Sequence, residues 1–131
     1  MNTRRLHVEV VRDALRFGQH LVMDLEGCDL DAITSRTTLE RWVVPLVDEV
    51  LKMKRYGDTQ IEHFGHDSPI TSGYTVVQLI ETSSITAHFS DYLRTAHIDV
   101  FSCREFDNEA VLTFCEQTFG AQGNTWTVLG R

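Results

Sequence analysis

Four hydroxyl side chains and one histidine lie within nine consecutive residues of this chain. Residues 80–88 read IETSSITAH, and the polar members are Thr82, Ser83, Ser84, Thr86 and His88. A serine, a histidine and an acid could form a hydrolase, with Asp99 or Glu81 as the acid. However, the segment lacks the GxSxG turn that exposes such a serine, and one strand cannot easily present a nucleophile and its base to each other.

Two other interpretations of these side chains stay open at this point. The residues with the chemistry of zinc ligands are His63, His66, His88, His97 and Cys103. His63 and His66 are spaced as H-x-x-H, which differs from the i, i+4 pair of a helical metal site. Alternatively, the hydroxyls bond only to neighbouring backbone or across strands, as threonine does in sheets.

Length, charge and hydropathy bound the class of protein. The 131 residues fit one domain, residues 1–131, with a core of its own. The net charge is −7 and the basic residues are scattered, whereas nucleic-acid binding needs a concentrated basic patch. We find neither a run of eighteen apolar residues nor the apolar stretch of a signal peptide, so we expect no membrane span and a cytoplasmic location.

The three cysteines indicate free thiols. Cys28, Cys103 and Cys115 form an odd set without CxxC spacing, which argues against a disulfide framework or a structural zinc site. Free thiols fit a reducing compartment. We assign Cys28 and Cys115 to packing.

The first half of the chain predicts a strand followed by a helix. Residues 18–26 alternate as a strand does, and a turn follows. Thr37 and Glu40 have the spacing of a capping box, after which apolar residues recur at helical spacing through 51. Pro45 lacks a backbone donor, so the helix either starts late, near Arg41, or bends.

The second half predicts a sheet with one more helix. Strands are expected at 58–64, 74–82, 84–89 and 95–103, with a loop at 66–73 and a final edge strand at 125–129. Asp107 is the expected N-cap of the second helix. The order predicts an α+β two-layer sandwich, a mainly antiparallel sheet with two helices on one face. The other face would need a partner or ligand, which favours a dimer.

Three segments resemble the small prokaryotic S-adenosylmethionine decarboxylases. They are GQHLVMDLEGCD (18–29), the strand around ETSSITAH (81–88) and HIDVFSC (97–103). The family has a GKHLILELxGCD-like strand, then ESHxSIH, then VDVFTC, and the likeness covers residues 18 to 120 in order. Its self-cleaving serine lies five residues before a histidine and twenty before a cysteine. Ser83 has both intervals, to His88 and Cys103, and Ser84 has neither.

The resemblance implies that the chain makes its own cofactor. A cut between Thr82 and Ser83 would leave chains 1–82 and 83–131, the second beginning with a pyruvoyl group derived from Ser83. Residues 1–17 extend beyond the usual family start. His88 would handle protons during processing, assisted by Thr75, and Cys103 would return a proton to the substrate's α-carbon.

The resemblance also implies S-adenosylmethionine as substrate, a product used for spermidine synthesis, and a homodimer of cleaved protomers. The implied substrate-binding residues are Phe64, stacking on the adenine, with Asp91 and Glu26 as candidates for the ribose hydroxyls.

Two departures from the family pattern keep alternatives open. Thr82 replaces the family's glutamate, and residues 89–92 read FSDY where the family often has TWPE. The alternatives are a pyruvoyl-dependent decarboxylase of another amino acid, such as ornithine or arginine, and an unprocessed S-adenosylmethionine-binding homologue.

Overall fold

Seven strands form one sheet in the computed structural model, which describes residues 3–10 and 17–131. The strands are β1 Arg4–Val10, β2 Gln19–Glu26, β3 Gln60–Phe64, β4 Gly73–Ile80, β5 Ser83–Ser90, β6 Thr95–Ser102 and β7 Gly123–Gly130. Their spatial order is β1-β7-β2-β6-β5-β4-β3. All neighbours run antiparallel except β1 and β7, which are parallel. The expected mainly antiparallel sheet is confirmed.

The first helical region begins earlier than the spacing of its apolar residues predicts. A short α1, Leu30–Ile33, precedes α2, Arg36–Pro45. The N-cap of α2 is Ser35, whose Oγ accepts the Thr38 N–H at 3.2 Å. The predicted Thr37 cap and the late start near Arg41 are therefore wrong, because Ser35 satisfies the free N–H groups first.

Pro45 changes the helix without ending it. Beyond Pro45 the chain continues as a π-helical turn, Leu46–Val50, and the Leu51 N–H reaches back to the Leu46 carbonyl at 2.8 Å. A proline has no N–H for the preceding turn, and a wider turn accommodates that loss.

The C-terminal elements confirm one prediction and correct another. Asp107 caps α3, Asn108–Phe119, by accepting the Ala110 N–H at 3.2 Å, as predicted. The expected final edge strand is β7, but β7 lies inside the sheet between β1 and β2. The edge prediction is wrong because the N-terminal segment supplies β1 as the true edge.

The helices cover one face of the sheet. Trp42 of α2 packs edge-on against Phe89 of β5 and against Phe119 of α3. The buried sheet residues of this layer alternate along the strands and include Leu21, Met23, Leu25, Ile85, Ala87, Ile98 and Val100. The α+β sandwich is thus confirmed, with the short α1 in addition to the two predicted helices.

The intervening side chains point to the other face, which we call the open face. It carries polar and charged groups at alternate positions, among them His20, Asp24, Thr75, Ser84, Thr86, His88, His97 and Asp99. His88 and His97 are cross-strand partners there and both are exposed. Two side-chain pairs on this face are His20 with Asp99, at 3.0 Å, and His97 with Asp24, at 2.8 Å.

Candidate active site

A tight corner joins β4 to β5 directly before the serine that the sequence selects. Ile80 and Ser83 are cross-strand partners, so only Glu81 and Thr82 make the turn. Thr82 has φ of 58°, in the left-handed region. For a β-branched residue such a conformation costs on the order of 1–3 kcal/mol. The peptide bond between Thr82 and Ser83 therefore follows a strained residue.

Ser83 is held in place by the end of the neighbouring strand β6. The Cys103 backbone N–H donates to Ser83 Oγ at 2.9 Å, and the Ser83 residue is 9% exposed. The donor comes from the backbone, so it does not depend on the identity of residue 103. This bond fixes the hydroxyl beside the strained corner.

The thiol of Cys103 lies at the same corner and differs from the other two cysteines. Hydrogen bonds with the Thr82 and Ser83 side chains lower the pKa of Cys103 below its ordinary value, and Cys103 is half-buried. In contrast, burial raises the pKa of Cys28 to about 12 and that of Cys115 to about 12. Cys103 is therefore the acidic thiol of the three, which suits a group that donates a proton at neutral pH.

A cavity of about 530 Å³ opens beside this corner, and part of its wall was missed by the sequence analysis. It is lined by Lys52, Met53, Lys54, Glu81, Thr82, Cys103 and Arg104. The segment after α2 reaches the hairpin because the Glu81 N–H donates to the Lys54 carbonyl at 3.1 Å. The available signal was the KMKR run at residues 52–55, which is unusually basic for an acidic chain.

The predicted pair Thr75 and His88 forms at a distance from Ser83. Thr75 Oγ1 and His88 Nδ1 are 3.0 Å apart, and the two residues are cross-strand partners. His88 lies five residues after Ser83 on β5, which is about 17 Å in a strand. Since alternate side chains point to opposite faces, Ser83 faces the helices while His88 lies on the open face. Within one chain, the structure does not bring His88 to Ser83.

The three predicted substrate-binding residues also lie away from Ser83. Phe64 on β3 is 54% exposed and pairs with Gly73, at the end of the sheet that carries His88. Asp91 follows β5 at that same end, and its Oδ2 is 2.8 Å from His63 Nε2. Glu26 ends β2 and forms an ion pair with Arg4 at 2.6 Å.

The geometry weighs against the two other chemistries considered for the hydroxyl-rich strand. A serine hydrolase needs its histidine within hydrogen-bond reach of the serine, and Ser83 and His88 lie on opposite faces. Asp99, one of its candidate acids, pairs with His20 instead. For zinc, no group of three or more histidine, cysteine or acidic side chains is placed to hold a metal within residues 3–10 and 17–131. In the same ranges, no helix is long and apolar enough to cross a membrane.

The chain is similar to one enzyme family over most of its length. A family model described as S-adenosylmethionine decarboxylase matches residues 19–131. An S-adenosylmethionine decarboxylase proenzyme of Methanococcus maripaludis (strain C5) is 33% identical over 91 residues, which cover 69% of this chain and 68% of the relative. The proenzyme of Anoxybacillus flavithermus is 27% identical over 105 residues, which cover 80% of this chain and 79% of the relative.

These matches confirm the resemblance seen in the three segments. The matched range begins at the first residue of β2 and includes the Thr82–Ser83 corner and Cys103. Because the family model covers well over half of the sequence, the chain belongs to the S-adenosylmethionine decarboxylase family.

Proposed function

We propose that the chain cuts itself between Thr82 and Ser83 and then decarboxylates S-adenosylmethionine, giving the aminopropyl donor for spermidine synthesis. One observation carries this proposal: Ser83 Oγ is held by the Cys103 N–H at 2.9 Å, directly after the strained Thr82. The family membership and the proenzyme names of the relatives support the same conclusion.

The processing chemistry uses only groups of the protein and one water molecule. Ser83 Oγ attacks the Thr82 carbonyl carbon, the C–N bond breaks, and an ester forms with a free amine on residue 83. A base removes the Cα proton of residue 83 and the Cβ–Oγ bond breaks, so both oxygens stay on Thr82 as a carboxylate. Tautomerisation and hydrolysis by water release ammonia and leave a pyruvoyl group. Residues 1–82 and 83–131 become separate chains that act as one domain.

The residues present fit a pyruvoyl group at position 83. A pyruvoyl ketone supplies an electron sink for the charge left when a carboxylate departs as carbon dioxide. Cys103 returns a proton to the α-carbon, because its thiol lies at the same corner, where a hydrogen bond with the Thr82 side chain lowers its pKa. In the uncut chain the backbone N–H of Cys103 donates to Ser83 Oγ, the oxygen that cleavage transfers to Thr82.

A homodimer completes the site. His88 and Thr75 are remote from Ser83 in one chain, so the base for Ser83 is His88 of the partner subunit. A two-fold axis that reverses the strand direction brings the partner's His88 end to the strand terminus at which Ser83 begins β5, so the partner's imidazole approaches Ser83 around the end of the sheet. The open face, with its exposed His88 and His97, is the surface that pairs.

The dimer also accounts for the location of the substrate-binding candidates. Phe64 and Asp91 lie at the His88 end of the sheet, so they approach Ser83 together with His88 when the partner docks. Phe64 is exposed and can stack on the adenine, while Asp91 Oδ1 is buried without a hydrogen bond within the described residues. A role for Glu26 requires that it give up its ion pair with Arg4.

A substrate panel tests this function. Purified protein is incubated with carboxyl-labelled S-adenosylmethionine, ornithine and arginine, and released carbon dioxide is counted. We expect release from S-adenosylmethionine, and none from the Ser83→Ala variant with any substrate. Release from ornithine or arginine alone would overturn the substrate while keeping the pyruvoyl mechanism. No release from any of the three would favour the binding homologue.

A further inference from the structure

Three cations surround the corner at which the chain is proposed to cut itself. Lys52, Lys54 and Arg104 line one cavity of about 530 Å³ together with Thr82. We propose that these three side chains, the basic cluster, form a binding site for the carboxylate that cleavage creates on Thr82. This inference rests on the proposed function, because Thr82 carries no carboxylate in an uncut chain.

Hydrogen bonds to two backbone carbonyls bring together the separate segments that carry the cluster. The Lys54 carbonyl accepts the Glu81 N–H at 3.1 Å, which places Lys54 beside the residue before Thr82. Arg104 Nη2 donates to the Lys52 carbonyl at 2.5 Å, so β6 is tied to the segment after α2. Lys52 has φ of 54°, a conformation that the surrounding structure has to hold. The backbone that carries the three cations is therefore held around one cavity, and all three residues are exposed.

In the described part of the chain, the cations of the cluster outnumber the acidic side chains that line the same cavity. Within the described residues, neither Lys52 nor Lys54 has an acidic partner within 4.0 Å, and Arg104 bonds a backbone carbonyl. In the same segment, by contrast, Arg55 is paired with Asp48 at 3.0 Å. Unpaired cations gathered at one cavity favour an anion.

Cleavage supplies such an anion at that place. Before cleavage, the three cations share the described lining with one acidic side chain, Glu81. The reaction proposed above leaves two oxygens on Thr82, and this carboxylate adds a negative charge to the lining of the same cavity. Charge-assisted hydrogen bonds from lysine and arginine to a carboxylate are among the stronger ones in proteins. Holding Thr82 in this way also keeps its carboxylate away from residue 83, where the substrate has to enter.

The carboxylate of the substrate is a poorer occupant for the basic cluster. In decarboxylation, the negative charge leaves the carboxylate on the way to the transition state. Cations that hold that carboxylate stabilise the ground state more than the transition state and slow the reaction. The Thr82 carboxylate, in contrast, persists throughout turnover.

A thermal-unfolding comparison tests the basic cluster. The triple variant Lys52→Gln, Lys54→Gln, Arg104→Gln is made with native Ser83 and with Ser83→Ala, and cleavage of each protein is read by intact mass. We expect the triple variant to lower the Tm of the cleaved protein by about 3 °C more than that of the uncut Ser83→Ala protein. The matched control is Arg41→Gln, an exposed cation on α2 outside the cavity, which should shift both proteins equally.

Every other outcome contradicts the proposal that the basic cluster binds the Thr82 carboxylate. Equal shifts in cut and uncut proteins mean that the cations serve the fold alone. Equal shifts with a raised KM for S-adenosylmethionine assign the cations to the substrate. A folded triple variant that stays uncut shows that the cations act before cleavage. If the protein with all native residues also stays uncut, the proposed function is wrong as well. If the triple variant does not fold, Lys54→Gln alone gives the same comparison, with an expected difference of about 1 °C.

Discussion

Ser83 and His88 lie on opposite faces of β5, five residues apart, although the family resemblance assigns them to one reaction. Ser83 is bound by the Cys103 N–H on the helix-covered side, and His88 is bound to Thr75 on the open face. The dimer proposed above, in which two copies of the chain share each site, would reconcile this geometry with the catalytic assignment.

A complementation experiment checks the shared site. Ser83→Ala and His88→Ala chains should each stay uncut when expressed alone. When they are co-expressed, a mixed dimer places His88 of the Ser83→Ala chain at the intact Ser83 of the other chain. We expect mass spectrometry to find cleavage of the His88→Ala chain only. If His88 acts within its own chain, neither chain is cut in the mixture.

Replacing Cys103 should separate processing from turnover. The Cys103→Ser variant keeps the backbone N–H that binds Ser83 Oγ, so cleavage should proceed near the native rate. Loss of the thiol should lower kcat by about 100-fold, a typical contribution of general acid catalysis. Cleavage that fails together with turnover would show that the thiol has a role in processing.

The native protein and the Cys103→Ser variant should differ in how turnover depends on pH. Because the pKa of Cys103 is lowered, the protonated donor is lost as pH rises through that lowered value. Native turnover should therefore fall on the alkaline side at a lower pH than an ordinary thiol would set. Turnover of the Cys103→Ser variant should not show this alkaline decline, because a serine hydroxyl stays protonated. An identical alkaline decline in both proteins would show that a group other than Cys103 causes it.

The three thiols should differ in reactivity toward iodoacetamide. Cys103 has a lowered pKa and is half-buried, whereas Cys28 and Cys115 are buried and their pKa values are raised to about 12. The thiolate is the reactive form, so Cys103 should react at least about 10-fold faster at pH 7.5. Peptide mapping after timed alkylation measures the three rates. Comparable rates would contradict the environment described for Cys103.

The strain at Thr82 predicts opposite effects on stability and on processing. In a Ser83→Ala background, Thr82→Gly should raise the free energy of unfolding by about 1 kcal/mol, since glycine adopts positive φ freely. With Ser83 intact, the same change should slow cleavage about fivefold, as about 1 kcal/mol of lost strain would. Arg94→Gly is the matched control, because Arg94 has φ of 54° in a turn outside the site. Arg94→Gly should stabilise the chain without slowing cleavage. If Thr82→Gly and Arg94→Gly are cleaved at equal rates, strain at Thr82 does not contribute to processing.

Local patterns predicted most of the fold. Alternation located β2 and β5, and the Asp107 cap located α3, because each signal lies within a few residues of the element it marks. The pairing of β1 with β7 joins the two ends of the chain and could not be read from local spacing. The cap of α2 was misplaced because Ser35 and Thr37 have the same capping chemistry two residues apart.

The candidate site was predictable only in the part whose signal is local in the sequence. The intervals from Ser83 to His88 and Cys103 follow from the sequence, and an odd interval along a strand already places Ser83 and His88 on opposite faces. The cavity beside Thr82 was not predictable, because Lys52 and Lys54 reach the corner through the long-range bond between Glu81 and Lys54. That Cys103 binds Ser83 through its backbone also requires the folded sheet.

The mass of the purified, undenatured chain tests the central claim most directly. We expect two fragments, residues 1–82 and residues 83–131, with the second fragment carrying a carbonyl group that phenylhydrazine labels and borohydride reduces. A single species of 15.0 kDa, without such a carbonyl, would contradict self-cleavage at Ser83.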